Sequence, residues 1–144
     1  MELRPLNTSH DDLLSSLQLQ EDVWEFIGTL PAPPEGDAGH LFAIMDGQVS
    51  LGFAGLLQSQ AAGATDYELL CAVRSEAQLR GTAKHACELV LQWAFSAAKL
   101  ERVIACIDDD NDVARAIADK IGMTALGPCP PHRTVYVKYA PRAA

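Results

Sequence analysis

Residues 73–98 read Val-Arg-Ser-Glu-Ala-Gln-Leu-Arg-Gly-Thr-Ala-Lys-His-Ala-Cys-Glu-Leu-Val-Leu-Gln-Trp-Ala-Phe-Ser-Ala-Ala. The order fits a strand ending near Val73, a short polar turn carrying Gly81, and a long amphipathic helix. Apolar residues recur at Ala83, Ala86, Cys87, Val90, Ala94 and Ala97, the spacing of one buried helical stripe. The first amides of such a helix lack internal partners and stand at the positive end of its dipole. A glycine beside them lets a ligand approach the backbone closely. Gln78 to Ala83 is therefore a candidate cradle for an anion such as a diphosphate, with Arg80 adding charge. The same residues also suit a plain loop-to-helix junction, and the rest of the chain has to decide between the two.

Working outward, Asp66–Val73 predicts the strand that feeds the turn, and Arg102–Ile107 (Arg-Val-Ile-Ala-Cys-Ile) a strand covered on both faces. Strand, crossing helix and strand make a βαβ unit with parallel strands. Before it, His40–Met45 and Val49–Gln58 flank Asp46-Gly47, a strong hairpin signal. Ser59–Thr65 reads as a flexible turn. Glu2–Leu6 predicts a first strand, 9–19 and 21–29 two short helices, and Pro31–Gly39 a loop rich in proline and glycine. After residue 107, Asp108-Asp109-Asp110-Asn111 caps a helix with Val113, Ile117 and Ile121 as its stripe, stopped by Gly122. Met123–Leu126 and Thr134–Tyr139 predict a closing pair of strands joined by the rigid 127–133 connection. Residues 1–140 thus read as one domain, with a frayed tail at 141–144.

The 144 residues are enough for one domain with a real core. A net charge of −8 argues against a nucleic-acid backbone binder, which needs a basic stripe. It suits solubility and, secondarily, a cationic substrate such as an amine. Residues 1–10 show no charged-then-apolar leader pattern, and no apolar run approaches membrane-spanning length. A cytoplasmic protein is the expectation, with no membrane partner. Cys71, Cys87, Cys106 and Cys129 are irregularly spaced and read as reduced residues, and Cys129-Pro-Pro-His132 lacks the second half of a metal site.

The element order resembles that of the GNAT superfamily of acyl-CoA-dependent N-acyltransferases over nearly the whole chain. The family's acyl-CoA signature, V-x-P-x-x-[QR]-x-x-G-x-[GA], is similar to Val73–Ala83, with Val73, Gln78, Gly81 and Ala83 matching and Ser75 in place of proline. A later pattern, N-x-x-[AS]-x-x-x-x-x-K-x-G-[FM], is met by Asn111, Ala114, Lys120, Gly122 and Met123. Trp93-Ala94-Phe95 and Leu100-Glu101-Arg102-Val103 resemble the subgroup that acetylates ribosomal-protein N-termini. The resemblance implies an α/β (α+β) domain: a mixed, mostly antiparallel sheet of six to seven strands flanked by about four helices.

It also implies acetyl-CoA as co-substrate, no metal, and a small-molecule or peptide amine as acceptor. Gln78, Leu79, Arg80, Gly81, Thr82 and Ala83 would hold the diphosphate, and backbone groups of Cys71, Ala72 and Val73 the pantetheine arm. An N–H between Leu70 and Ala72 would polarise the thioester oxygen. Asn111 is a cofactor contact or a helix cap. Alternation sets Glu68, Leu70 and Ala72 on one strand face, and Tyr67, Leu69, Cys71 and Val73 on the other. Glu68, where the subgroup often has Glu, is the candidate base, and a solvated strand-end carboxylate is the plain alternative.

A lysine amine near ~10.4 is neutral about once in 2,500 molecules at pH 7, an α-amine near ~7.8 about once in seven, so an α-amine needs less help from a base. The family's Tyr seven residues after the Asn is Ala118 here. Tyr136 could replace it by location only. This gap, the replaced proline and the short 127–133 connection motivate a second reading: a non-catalytic acyl-CoA-binding or protein-interaction module. The short connection also points to an open acceptor site, or one completed by a second subunit in a homodimer.

Overall fold

The computed structural model describes residues 1–5, 39–74 and 81–141. Seven strands form one sheet: β1 (Glu2–Pro5), β2 (Gly39–Asp46), β3 (Val49–Ser59), β4 (Asp66–Val73), β5 (Arg102–Asp108), β6 (Thr124–Cys129) and β7 (Arg133–Tyr139). Helix α1 (Thr82–Ser96) connects β4 to β5, and α2 (Asp112–Lys120) connects β5 to β6. The spatial order is β1-β2-β3-β4-β5-β7-β6. Every neighbouring pair is antiparallel except β4–β5. The mostly antiparallel mixed sheet is thus present with seven strands. Among the described residues there are two helices rather than about four. The helices expected at 9–19 and 21–29, and most of the loop expected at 31–39, lie outside the described residues, as do 142–144 of the tail.

Local sequence explains the elements. The β2–β3 hairpin turns through Gly47 and Gln48, because Asp46 pairs with Val49. Gly47 has φ +60°, a conformation open to glycine at little cost. The turn at 59–65 is held by its own hydrogen bonds: Gln60 Nε2 donates to Thr65 Oγ1 at 2.7 Å, and Gly63 N to Gln60 O at 3.0 Å.

Each face of the sheet has its own packing. On one, Ile44, Leu56, Leu69, Val73, Val103 and Tyr136 pack beneath Ala86, Cys87, Val90 and Ala94 of α1 and Ala118 of α2. Phe42 meets Trp93 edge-on at 5.3 Å, which seats α1 on β2 as well. On the other face, Leu41, Ala43, Met45, Phe53 and Ala72 form one cluster, and Ile104, Val135 and Val137 another.

Three expectations need correction. The stripe of α1 stops at Ala94; Ala97 follows the helix as its cap residue and is exposed. In α2, Val113 is 58% exposed and the buried helical residue is Ala118, with Ile121 buried just beyond. Strand β6 runs through Cys129, so β6 and β7 are joined by residues 130–132 alone. Pro128 is tolerated within β6 because β6 is the sheet's edge, and a register shift at Ala125/Gly127 accommodates the bend.

Candidate active site

Strand β4 delivers the chain to α1, and its end is fixed to β3 at three points. Gly52 pairs with Val73, Arg74 N donates to Leu51 O at 2.7 Å, and Arg74 Nε donates to Ser50 O at 2.8 Å. The approach is close enough that a Cβ on Gly52 would stand 2.1 Å from the Ala72 carbonyl oxygen. Only glycine fits there.

Gly81 begins α1 in the left-handed region, with φ 76° and ψ 5°. No side chain caps this helix end, and its first turn holds no acidic residue. Among the described residues, a Cβ on Gly81 would meet nothing within 4 Å. A helix start without an acidic residue in its first turn presents its first amides at the positive end of the dipole, which suits an anion. Gly81, Thr82 and Ala83 therefore lie where the sequence predicts. Gln78, Leu79 and Arg80 lie outside the described residues.

The second element is the junction of β4 with β5. Its recorded register is a single pair, Glu68 with Ile104. From Leu70 to Ala72 the side of β4 that faces β5 continues without a recorded strand ladder, while its other side stays paired to β3 through Gly55, Ala54 and Phe53. The backbone of Leu70, Cys71 and Ala72 is thus held by a registered strand pairing on its β3 side. Partly buried, the Cys71 side chain packs against the α1 core, where hydrogen bonding with Cys87 and then burial hold its thiol well above the ordinary range. All four cysteines are free thiols.

Glu68 stands on the opposite face of β4, as the alternation predicts. Burial pushes its carboxyl above the ordinary carboxylate value. The Arg133 guanidinium, then hydrogen bonds from the Cys106 backbone N–H and thiol, partly offset that rise. Cys106 itself is pushed up to about 12, first by burial and then by hydrogen bonding to Cys129, so it stays a protonated donor. Sequence reasoning missed Cys106 and Arg133 as neighbours of Glu68, since their juxtaposition depends on the parallel register of β5.

The loop between β5 and α2 is tied to the β6–β7 hairpin. Arg133 Nε donates to Asp108 Oδ1 at 2.7 Å, Thr134 Oγ1 to Asp109 Oδ1 at 2.7 Å, and Asp109 N to His132 O at 2.8 Å. Asn111 is the N-cap of α2; its Oδ1 accepts from Ala114 N at 3.1 Å. Ala118 faces the core and is 2% exposed. The Tyr136 hydroxyl accepts from Arg115 Nε at 3.4 Å, and Tyr136 is itself largely buried. Among the described residues no group of three or more His, Cys, Asp or Glu side chains is arranged to hold a metal.

The chain matches the family model described as an acetyltransferase (GNAT) domain over residues 1–124, and it belongs to that family. The fold is shared with solved structures at low sequence identity. An acetyltransferase from Agrobacterium tumefaciens is 20% identical with a TM-score of 0.77, over 95% of this chain and 89% of that one. A spermidine N-acetyltransferase from Vibrio cholerae, in complex with CoA and spermine, is 16% identical with a TM-score of 0.75, over 94% and 92%. A ribosomal-protein-S5-alanine acetyltransferase from Vibrio fischeri is 12% identical with a TM-score of 0.73, over 95% and 91%. No curated protein sequence matches the chain.

Proposed function

We propose that this protein is an N-acetyltransferase that moves an acetyl group from acetyl-CoA to a primary amine by direct attack in a ternary complex. The observation that carries the reading is the Gly81-led start of α1, with Gly81 in the left-handed region and no acidic residue in the first turn, following the strand whose registered pairing with β5 is the single pair Glu68–Ile104. The residues present fit the co-substrate. Amides of Gly81, Thr82 and Ala83 would take the diphosphate, with Gln78, Leu79 and Arg80 completing the loop. Backbone groups from Leu70 to Val73 would take the pantetheine arm and the thioester oxygen. Bound there, acetyl-CoA supplies the activated acetyl group.

The chain's own chemistry is then proton handling. An ammonium must lose a proton before it attacks, and Glu68, ionised, accepts it directly or through one water. Its raised pKa brings the carboxylate closer in basicity to that task. An α-amine asks less of it than a lysine or polyamine amine does. The spermidine and ribosomal-protein enzymes among the structural neighbours support amine acceptors of both kinds as candidates. Residues 1–140 act in this reading as one cytoplasmic catalytic domain.

Ala118 favours a second reading, an acyl-CoA-binding module without turnover, because it offers no hydroxyl to the departing thiolate. Thiol release from acetyl-CoA separates the two across a panel of an N-terminal peptide, a lysine peptide and a polyamine. Release that depends on one of the amines supports the enzyme. Binding of CoA with no release across the panel supports the module.

A further inference from the structure

An ion pair stands at the upstream end of the β4–β5 junction. Asp66 is the one buried charged residue among the described residues, at 8% exposure. It begins β4, and Arg102 begins β5. Arg102 Nε donates to Asp66 Oδ1 and its NH2 group donates to Asp66 Oδ2, each at 2.8 Å. Two parallel bonds of this kind fix the angle between carboxylate and guanidinium as well as their distance.

Position gives the pair its meaning. Asp66 precedes Glu68 by two residues, and Arg102 precedes Ile104 by two, so both stand one same-face step upstream of the single registered pair. Each is also anchored on its far side, Asp66 opposite Ser59 in β3 and Arg102 opposite Tyr139 in β7. At β4–β5 the β1–β4 half of the sheet and the β5–β7–β6 half thus share one backbone register, with a two-pronged ion pair one step upstream of it. Beyond that register, toward Val73 and Asp108, no further β4–β5 pairing is recorded.

We infer that Asp66 and Arg102 are positioning residues, the pin at the closed end of the β4–β5 parting, which sets how far the strand margin at Leu70–Ala72 stands from β5 and so how well it receives the arm of acetyl-CoA. The inference rests on the proposed function. It differs from it in placing a determinant of co-substrate affinity at the opposite end of β4 from the diphosphate cradle. Small angular changes at a pivot grow along the strand, and a displacement near an ångström suffices to spoil a bound geometry.

The test uses R102K, which keeps the charge and the stem but loses the fork, and D66N, which keeps the shape but loses the charge. Circular dichroism first establishes that each is folded at the assay temperature. Calorimetry then gives the Kd for CoA, and kinetics give KM for acetyl-CoA, KM for the amine, and kcat. The expected result is a Kd and an acetyl-CoA KM raised on the order of tenfold in folded R102K, with kcat and the amine KM nearly unchanged. Should D66N fail to fold, R102K decides alone. Should R102K fail as well, slowed amide exchange of residues 104–106 when CoA binds the wild type supports the inference, and unchanged exchange overturns it. Folded R102K with wild-type affinity overturns the pin and leaves the proposed function standing. A wild type that does not bind CoA overturns the proposed function itself, and the inference with it.

Discussion

Glu68 and Ile104 form the single β4–β5 register pair, and Glu68 carries the buried carboxyl at that point of the sheet. Glu68 thus stands where the registered β4–β5 pairing ends. Its carboxyl is raised by burial and lowered again by Arg133.

The sign of the pH dependence follows. Glu68 works as a base only when ionised, so activity is lost as pH falls through its raised pKa. The acid limb of the kcat/KM profile should therefore lie above the ordinary carboxylate range, and E68Q should remove it. R133Q takes away an influence that lowers the Glu68 pKa, so it should move the limb to higher pH. An R133Q limb that stays in place or moves down contradicts the assignment.

At the helix start, Gly81→Ala imposes a side chain on a residue at φ 76°. The strain should cost about 1 kcal/mol of stability, read as a lower denaturation midpoint. The added methyl would meet nothing within 4 Å among the described residues, so steric overlap with them adds nothing to that cost. CoA affinity should fall by more than the stability loss explains, and Gly81→Val should lose more than Gly81→Ala.

Gly52→Ala tests the fixed end of β4. Its Cβ would overlap the Ala72 carbonyl oxygen, a backbone atom that cannot rotate away. Destabilisation of about 1–3 kcal/mol is expected, the usual cost of overpacking a close contact. Because the displaced segment is Ala72–Val73, CoA affinity should fall as well. Wild-type stability and affinity would show that β3 and β4 can separate here at no cost.

Asn111 separates two roles in one residue. Loss of the bond from Ala114 N in N111A should cost about 1 kcal/mol, whereas N111D, which keeps an acceptor oxygen, should cost less. If capping is the whole role, neither variant changes the Kd for CoA. A tenfold loss of affinity in N111D with stability intact would make Asn111 a cofactor contact.

Much of this site is legible in the sequence, for local reasons. The glycine of the turn, the helical stripe from Ala83 to Ala94, and the alternation that separates Glu68 from Cys71 all depend on neighbours a few residues away. The Asp66–Arg102 pair spans 36 residues and exists only once β4 and β5 lie parallel in one register. The same register brings Cys106 and Arg133 to Glu68, and periodicity along a single strand carries no information about it. Pro128 misleads for a related reason: proline argues against a strand unless the strand is an edge, and edge position belongs to the assembled sheet. Val113 fits the helical stripe of α2 by spacing, but a nine-residue helix seated through Ala118 leaves its first turn outside the contact.

A crystal structure of the protein with CoA is the most direct measurement. The account predicts diphosphate oxygens within hydrogen-bonding distance of the Gly81, Thr82 and Ala83 amides, and the pantetheine arm along Leu70–Ala72 of β4. A CoA molecule seated elsewhere, with those amides facing only water, would contradict it.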